Sequence, residues 1–217
     1  MASSPLVIAL PKGRIAAELA PVLERVGVKP EPEFAEEESR KLLFSTSDAG
    51  VSLIRVRSFD VPTFVAFGAA QLGIAGSDVL AEFDYQDLYA PLDLGIGKCR
   101  LSLAEPDDGI TENLARLSHL RVATKYPNIA SRWCAARGIQ AECIRLSGAM
   151  ELAPRLHLSR HIVDLVSTGR TLKENGLKES EVIAQVSSRL VINRAAFKTD
   201  ARPAAWVQRF REAVHGA

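Results

Sequence analysis

Cysteine is scarce. Cys99, Cys134 and Cys143 are an odd count with no Cys-x-x-Cys spacing, which argues against a disulfide framework or a zinc site. They read as small, partly buried thiols of a reducing cytoplasm. Charge of one sign is also lacking. The formal net charge is +1, so no global basic field points to nucleic acid or to an anionic membrane. No apolar run approaches the ~20 residues that span a bilayer. Residues 1–10 carry neither a basic n-region nor a long apolar h-region, so they do not read as an export signal. His157 and His161 stand four apart, but the first ends a helical stretch and the second opens a strand, and no His-Glu-x-x-His pattern supports a metal pair. The run Gly95-Ile-Gly-Lys98 is not a Walker A loop, because Leu92 occupies the position of its first glycine. No Gly-x-Gly-x-x-Gly, Gly-x-Ser-x-Gly, internal repeat or low-complexity tract occurs.

What is present is the composition of a folded globular protein, 47% hydrophobic and 24% charged, so long disorder is not expected. At 217 residues the chain has room for one large α/β domain or two compact lobes. Short apolar runs alternate with amphipathic ones. Leu6–Leu10 reads as a strand. Ile15, Leu19, Val22, Leu23 and Val26 then share one helical face, with Gly27 just beyond. Leu42–Ser45 and Val51–Val56 read as strands joined by a Ser47-Asp-Ala-Gly50 turn. Val61–Phe67 starts a helix with Pro62 in its first turn, and Leu72–Ala75 is a buried strand. Near Pro91 the pattern restarts. Strands are expected at Leu94–Ala104, Leu120–Thr124, Glu142–Leu146 and His161–Val166, with helices at Pro127–Arg137 and Gly148–Leu156. Val182–Asn193 is extended and Arg202–Val214 a terminal helix. The alternation predicts mostly parallel mixed sheets covered by helices. The restart suggests lobe I from residues 1–92 plus about 185–217, and lobe II over about 93–184, with a central cleft where a small ligand binds.

The segment His161–Gly176 concentrates the chemistry. Ile162, Val163, Leu165 and Val166 make a buried strand that Asp164 interrupts, which is costly unless its carboxylate has partners. Ser167-Thr-Gly-Arg-Thr171 turns the chain into a short helix that Gly176 can end. Backbone N–H groups and the hydroxyls of Ser167, Thr168 and Thr171 suit an anion. Gly169 permits close approach, and Arg170 either reaches a phosphate or faces solvent. A bland alternative stays open, with Thr171 and Glu174 forming a capping box. An acidic residue beside such a loop favours a phosphoribosyl group, the carboxylate accepting from ribose hydroxyls while the loop holds the 5′-phosphate.

This segment resembles the phosphoribosyl pyrophosphate loop of the ATP phosphoribosyltransferase family. Similar in the same order are Leu10-Pro-Lys-Gly-Arg14, Asp60-Val-Pro62, Leu72-Gly-Ile-Ala-Gly-Ser-Asp-Val-Leu80, Asp93-Leu-Gly-Ile-Gly-Lys-Cys-Arg100, Ala123-Thr-Lys-Tyr-Pro127 and Ser187-Ser-Arg-Leu-Val-Ile-Asn-Arg-Ala195. Gln71 departs from the acidic residue usual in the family, at a position outside the Gly-Ser-Asp turn. The resemblance implies a two-lobed fold like the type II periplasmic binding proteins. It implies that N1 of the ATP adenine displaces pyrophosphate from phosphoribosyl pyrophosphate, the first step of histidine biosynthesis. Adenine N1 has a free lone pair, so positioning and leaving-group charge should matter more than a general base. Mg²⁺ would ride on the pyrophosphate, held by substrate oxygens and water.

Other candidates are weighed beside this. Lys12 and Arg14 follow the first strand and suit triphosphate or pyrophosphate, or are solvated turn charges. Arg40, Arg55 and Arg57 lie near strands. Period-2 alternation puts Arg55 and Arg57 on one face, with Arg57 favoured for leaving-group stabilisation by its place before Asp60-Val-Pro62. Ser77 and Asp78 end a strand and contact substrate, or merely start a helix. Glu151 opens toward the cleft or is a surface charge. A rival class is a solute-binding or effector-sensing module of the same fold, for which an export signal or a signalling domain would be expected. The chain ends soon after the terminal helix, without the histidine-binding domain of the family's long forms. That implies the short form, a cytoplasmic enzyme that self-associates as a dimer and works with a subunit similar to histidyl-tRNA synthetase.

Overall fold

The computed structural model describes residues 5–36, 38–110 and 112–216. The chain divides into two compact units at Gly97/Lys98 and again at Val186/Ser187.

The first unit opens with β1 (Leu6–Pro11), whose alternate side chains enter two different cores. Gly13, at φ +85°, then turns the chain into α1 (Arg14–Val26). Leu19, Val22, Leu23 and Val26 are the buried stripe of α1, and left-handed Gly27 ends it, as the 3.6-residue spacing predicts. A short 3-10 turn at Pro32–Ala35 follows. Next come β2 (Leu43–Ser45), β3 (Val51–Val56), α2 (Val61–Ala66), β4 (Leu72–Gly76), α3 (Ser77–Phe83) and β5 (Leu88–Asp93).

The second unit holds β6 (Cys99–Pro106), β7 (His119–Thr124), α4 (Pro127–Ala135), β8 (Gln140–Arg145), α5 (Leu152–Arg155), β9 (His161–Val166), α6 (Arg170–Glu174) and β10 (Leu177–Val186). The chain then rejoins the first unit as β11 (Ser188–Asn193), α7 (Arg194–Thr199) and α8 (Ala201–His215).

The first unit's sheet runs β2-β3-β1-β4-β11-β5. Ile8 and Leu10 of β1 pack with the buried stripe of α1 and with Trp206, Val207 and Phe210 of α8. Ala9 packs on the opposite face with Val61 and Val65 of α2. That second layer is tight: a Cβ on Gly73 of β4 would lie 2.7 Å from Val65 Cγ2 and 2.9 Å from Val61 Cγ1. The unusual Gln71 has a local job, its Oε1 accepting from the Val7 N–H at 2.8 Å. The second unit's sheet runs β10-β6-β9-β7-β8, with Ala104, Ala123, Ile162, Val166, Leu172 and Leu177 among its core residues.

Both sheets are mixed. The parallel pairs are β1 with β3 and β4, and β7 with β8 and β9; β2, β5, β6, β10 and β11 run antiparallel to their neighbours. The parallel share is smaller than the α/β alternation suggests, because β5, β6, β10 and β11 follow one another or return without an intervening helix. Three local expectations are corrected. Leu94–Ala104 is not one strand: Gly95 and Gly97 at φ +68° and +65° break it before β6. Pro91, taken as a restart, lies inside edge strand β5, where a missing N–H is tolerated. Gly148–Leu156 shrinks to the four-residue α5, because Ala149 adopts φ +53°. Cys134 is buried and Cys99 and Cys143 half-buried, all as free thiols. No helix among the described residues is long and apolar enough to cross a membrane.

Candidate functional site

In the second unit, β9 delivers Asp164 and the turn beyond it. Asp164 is half-buried and its Oδ1 accepts from the Leu165 N–H at 2.8 Å. Leu165 is 39% exposed rather than buried, although Val163 on the same strand face is buried. Ser167, Thr168, Arg170 and Thr171 are exposed. Gly169 caps α6 at φ +77°, and a Cβ there would meet only Val166 Cγ1 at 3.9 Å. The glycine therefore answers a backbone requirement rather than crowding within the protein.

The capping-box reading does not hold. Thr171 lies inside α6, the N-cap position is Gly169, which has no side chain, and Glu174 Oε1 pairs with Arg170 Nε at 2.7 Å. Thr168 Oγ1 accepts weakly from the Arg170 N–H at 3.3 Å, which leaves its hydroxyl hydrogen for another acceptor. The start of the turn is tethered from β6, where Arg100 Nη1 donates to Ser167 O at 3.1 Å. Arg100 is itself held by a bidentate pair with Glu179 of β10, at 2.6 and 2.5 Å, and Ser102 Oγ donates to the same carboxylate at 2.8 Å. The Arg100 hydrogen bond is the main reason the Glu179 carboxyl is held below its ordinary range. Sequence reading placed Arg100 in a motif without this role, because its partner Glu179 lies 79 residues further along the chain. Thr124 shapes the neighbouring Thr124–Pro127 turn, donating to Val163 O at 2.8 Å and accepting from the Tyr126 N–H at 2.9 Å. Glu151 is half-buried at the N-terminus of α5.

In the first unit, Lys12 and Arg14 flank Gly13 where β1 passes into α1, and both are exposed. Arg14 lies 3.7 Å from Glu18, a weak surface pair. Lys12 lines a cavity of about 460 Å³ with Gly13, Ala16, Ala17, Ala20, Phe34, Ala35 and Arg55. Sequence reading missed the alanines and Phe34; three small residues on the non-core face of α1 were the only signal. Arg55 and Arg57 do not share a face. β3 ends at Val56, so alternation stops before Arg57, which is exposed, while Arg55 is buried. Ser77 and Asp78 open α3, with Asp78 buried and no side-chain cap on the helix. The Ser77 N–H donates to Ser187 O at 2.9 Å, and its Oγ accepts from the Ser187 N–H at 3.3 Å. Arg40 is exposed and makes no ion pair with any described residue.

The two units, each a mixed sheet with helices, place the protein in the class of type II periplasmic-binding-protein-like folds. The sulphonate-binding protein SsuA of Escherichia coli matches 98% of the chain, and 69% of its own, at TM-score 0.58 and 17% identity. At that identity the likeness concerns the fold alone. A far closer likeness is the ATP phosphoribosyl transferase (HisG:HisZ) complex from Thermotoga maritima, at TM-score 0.81 and 33% identity, covering 98% of this chain and 100% of that one. The family model for ATP phosphoribosyltransferase matches residues 57–215. The ATP phosphoribosyltransferases of Sphingopyxis alaskensis and Rhodospirillum rubrum are 61% and 63% identical, over 98% and 96% of this chain and 96% and 92% of theirs. The chain belongs to the ATP phosphoribosyltransferase family. It is a transferase that moves the phosphoribosyl group of phosphoribosyl pyrophosphate to N1 of the ATP adenine, releasing pyrophosphate in the first step of histidine biosynthesis.

Proposed function

We propose that the turn of Ser167, Thr168, Gly169, Arg170 and Thr171 holds the 5′-phosphate of phosphoribosyl pyrophosphate while Asp164 accepts from the ribose hydroxyls. The observation that carries this reading is a turn with its hydroxyls exposed, tethered by Arg100 and following a strand that carries an acidic residue. ATP and pyrophosphate fall to Lys12, Arg14, Arg40, Ser77, Asp78 and Glu151. A lysine lining a cavity of about 460 Å³ suits a nucleotide-sized anion. Arg57 stabilises charge growing on the pyrophosphate as its bond to the anomeric carbon breaks and the bond from adenine N1 forms. Mg²⁺ travels with the pyrophosphate, coordinated by substrate oxygens and water, an arrangement that needs no cage of protein carboxylates. The chain works in the cytoplasm, as a dimer, with a regulatory subunit similar to histidyl-tRNA synthetase. The Thermotoga maritima structure, a HisG:HisZ complex, supports such a partner.

Thr168→Val tests the turn. It removes a donor to a charged phosphate, a contact worth about 1.5–3 kcal/mol, so the KM for phosphoribosyl pyrophosphate should rise roughly 10- to 150-fold. Asp164→Asn should weaken the same substrate and leave the KM for ATP nearly unchanged. Wild-type kinetics in both variants would remove this turn from the site.

A further inference from the structure

We propose that Arg55 is a positioning residue for Arg40. The inference rests on the reading of Arg40 as a ligand of ATP or pyrophosphate. Arg55 occupies an inward position of β3, whose burial alternates from Val51 through Leu53 to Arg55, and it is only 5% exposed. Burying a guanidinium is costly, and a well-packed apolar side chain usually serves a core as well or better. Among the described residues it makes no ion pair. Its Nη1 donates to Phe34 O at 2.7 Å and to Glu36 O at 3.0 Å, and its Nη2 donates to Ser39 O at 3.0 Å. The rings of Phe34 and Phe44 lie 5.7 and 4.9 Å from the guanidinium. Phe34 belongs to the 3-10 turn, and Glu36 and Ser39 to the stretch between that turn and β2.

Arg40 sits between two of the anchors. On one side Ser39 O takes the Nη2 bond; on the other the Arg55 N–H donates to Leu42 O at 2.9 Å. Ser39 adds its own ties, accepting from the Lys41 N–H at 3.1 Å and donating to Glu33 Oε1 at 2.6 Å. An exposed arginine on a loose connection would have to be ordered when its ligand binds, at about 1–2 kcal/mol for each backbone residue fixed. Arg55 fixes that backbone beforehand, which is the physical content of preorganisation.

Four variants of the full chain test this: Arg40→Ala, Arg55→Met, Arg55→Lys and the Arg40→Ala/Arg55→Met double. Steady-state kinetics are read together with amide exchange over residues 34–42. Arg55→Met should fold, speed exchange in that stretch while β1 and β3 stay protected, and slow turnover about tenfold. Arg55→Lys should recover part, since one ammonium cannot reproduce the planar fork. In the Arg40→Ala background Arg55→Met should cost no more than about twofold, because the two residues act as one unit. An undiminished loss in that background, or wild-type turnover in Arg55→Met with Arg40→Ala slow, overturns the positioning role alone. Arg40→Ala at the wild-type rate overturns the reading of Arg40 and this inference with it. Should Arg55→Met fail to fold, the same cycle with Arg55→Lys decides by the same criteria.

Discussion

Arg57 stands one residue past β3, exposed, so its guanidinium is available to a ligand without the cost of dismantling the core. If it meets the departing pyrophosphate, removing it costs a charge-assisted contact made mainly in the transition state. Arg57→Ala should then lower kcat by about 2–3 kcal/mol, roughly 30- to 150-fold, with a smaller change in KM. Arg57→Lys should recover only part of the rate, because the planar fork is lost. A wild-type rate in the alanine variant would return Arg57 to the surface. At this scale the sequence discloses residue type and strand phase but not where a strand stops. Period-2 alternation joined Arg55 to Arg57, and the end of β3 at Val56 separates them. What commits Arg55 to the interior is a set of carbonyls 16 to 21 residues earlier in the chain, and no local pattern announces such acceptors. The placement of Asp164 in a strand and of Thr168 in the turn after it was legible for the opposite reason: strand, turn and helix are contiguous, so their relation is fixed by the local chain.

Elements with their own periodicity were legible and elements defined by a distant neighbour were not. The stripe of α1 and the glycine that ends it follow from the sequence directly. β10 carries Lys178, Glu179 and Glu181 and is an edge strand paired with β6, so its alternation is blurred by charge. β9 also hides a feature no motif shows. His161 is buried at its start, with Nε2 3.4 Å from Glu105 Oε2 and 3.7 Å from Glu112 Oε2. Lys178 Nζ stands 3.8 Å from Glu105 Oε1, and Arg160 pairs with Asp108 at 2.8 Å and approaches Glu112 at 3.8 Å. Burial pushes the His161 pKa below its ordinary value near 6.5; Glu112 and Glu105 oppose the shift and Arg160 adds to it. The folded state therefore binds this proton less tightly than the unfolded chain. Above pH 6.5 both states hold a neutral imidazole, and stability is lost as the pH falls below 6.5 toward the folded pKa. Urea unfolding of wild type and His161→Gln at pH 7.5 and 5.5 isolates the effect, since other groups titrate alike in both. The wild type should lose more stability than the variant on acidification. A wild type that gains on the variant at pH 5.5 would mean that the carboxylates hold His161 protonated in the fold.

At the scale of the whole molecule, the α/β class was readable from alternation, but the path was not. Ser77 and Ser187 are 110 residues apart and hydrogen-bonded, and β11 enters the first unit's sheet between β4 and β5. Insertion of a late strand into an early sheet depends on which edge its partners leave open, a property of the assembled sheet rather than of any segment. The same limit applies to regulation, where the effector site can lie on another chain. In the proposed assembly histidine acts through the regulatory subunit, so inhibition requires that histidine favour one state of the complex over another. An effector with no differential affinity for two states of this chain cannot change its rate, whatever its concentration. Histidine titrated into the purified chain with saturating ATP and phosphoribosyl pyrophosphate should therefore leave pyrophosphate release unchanged. Adding the regulatory subunit should restore a response, with a coupling of about 1–3 kcal/mol, or roughly 5- to 150-fold. By reciprocity, substrate binding to the complex should weaken histidine binding by the same factor, which calorimetry can measure on the partner-bound form. Full inhibition of the chain alone would place the effector site within its own 217 residues and end the short-form assignment.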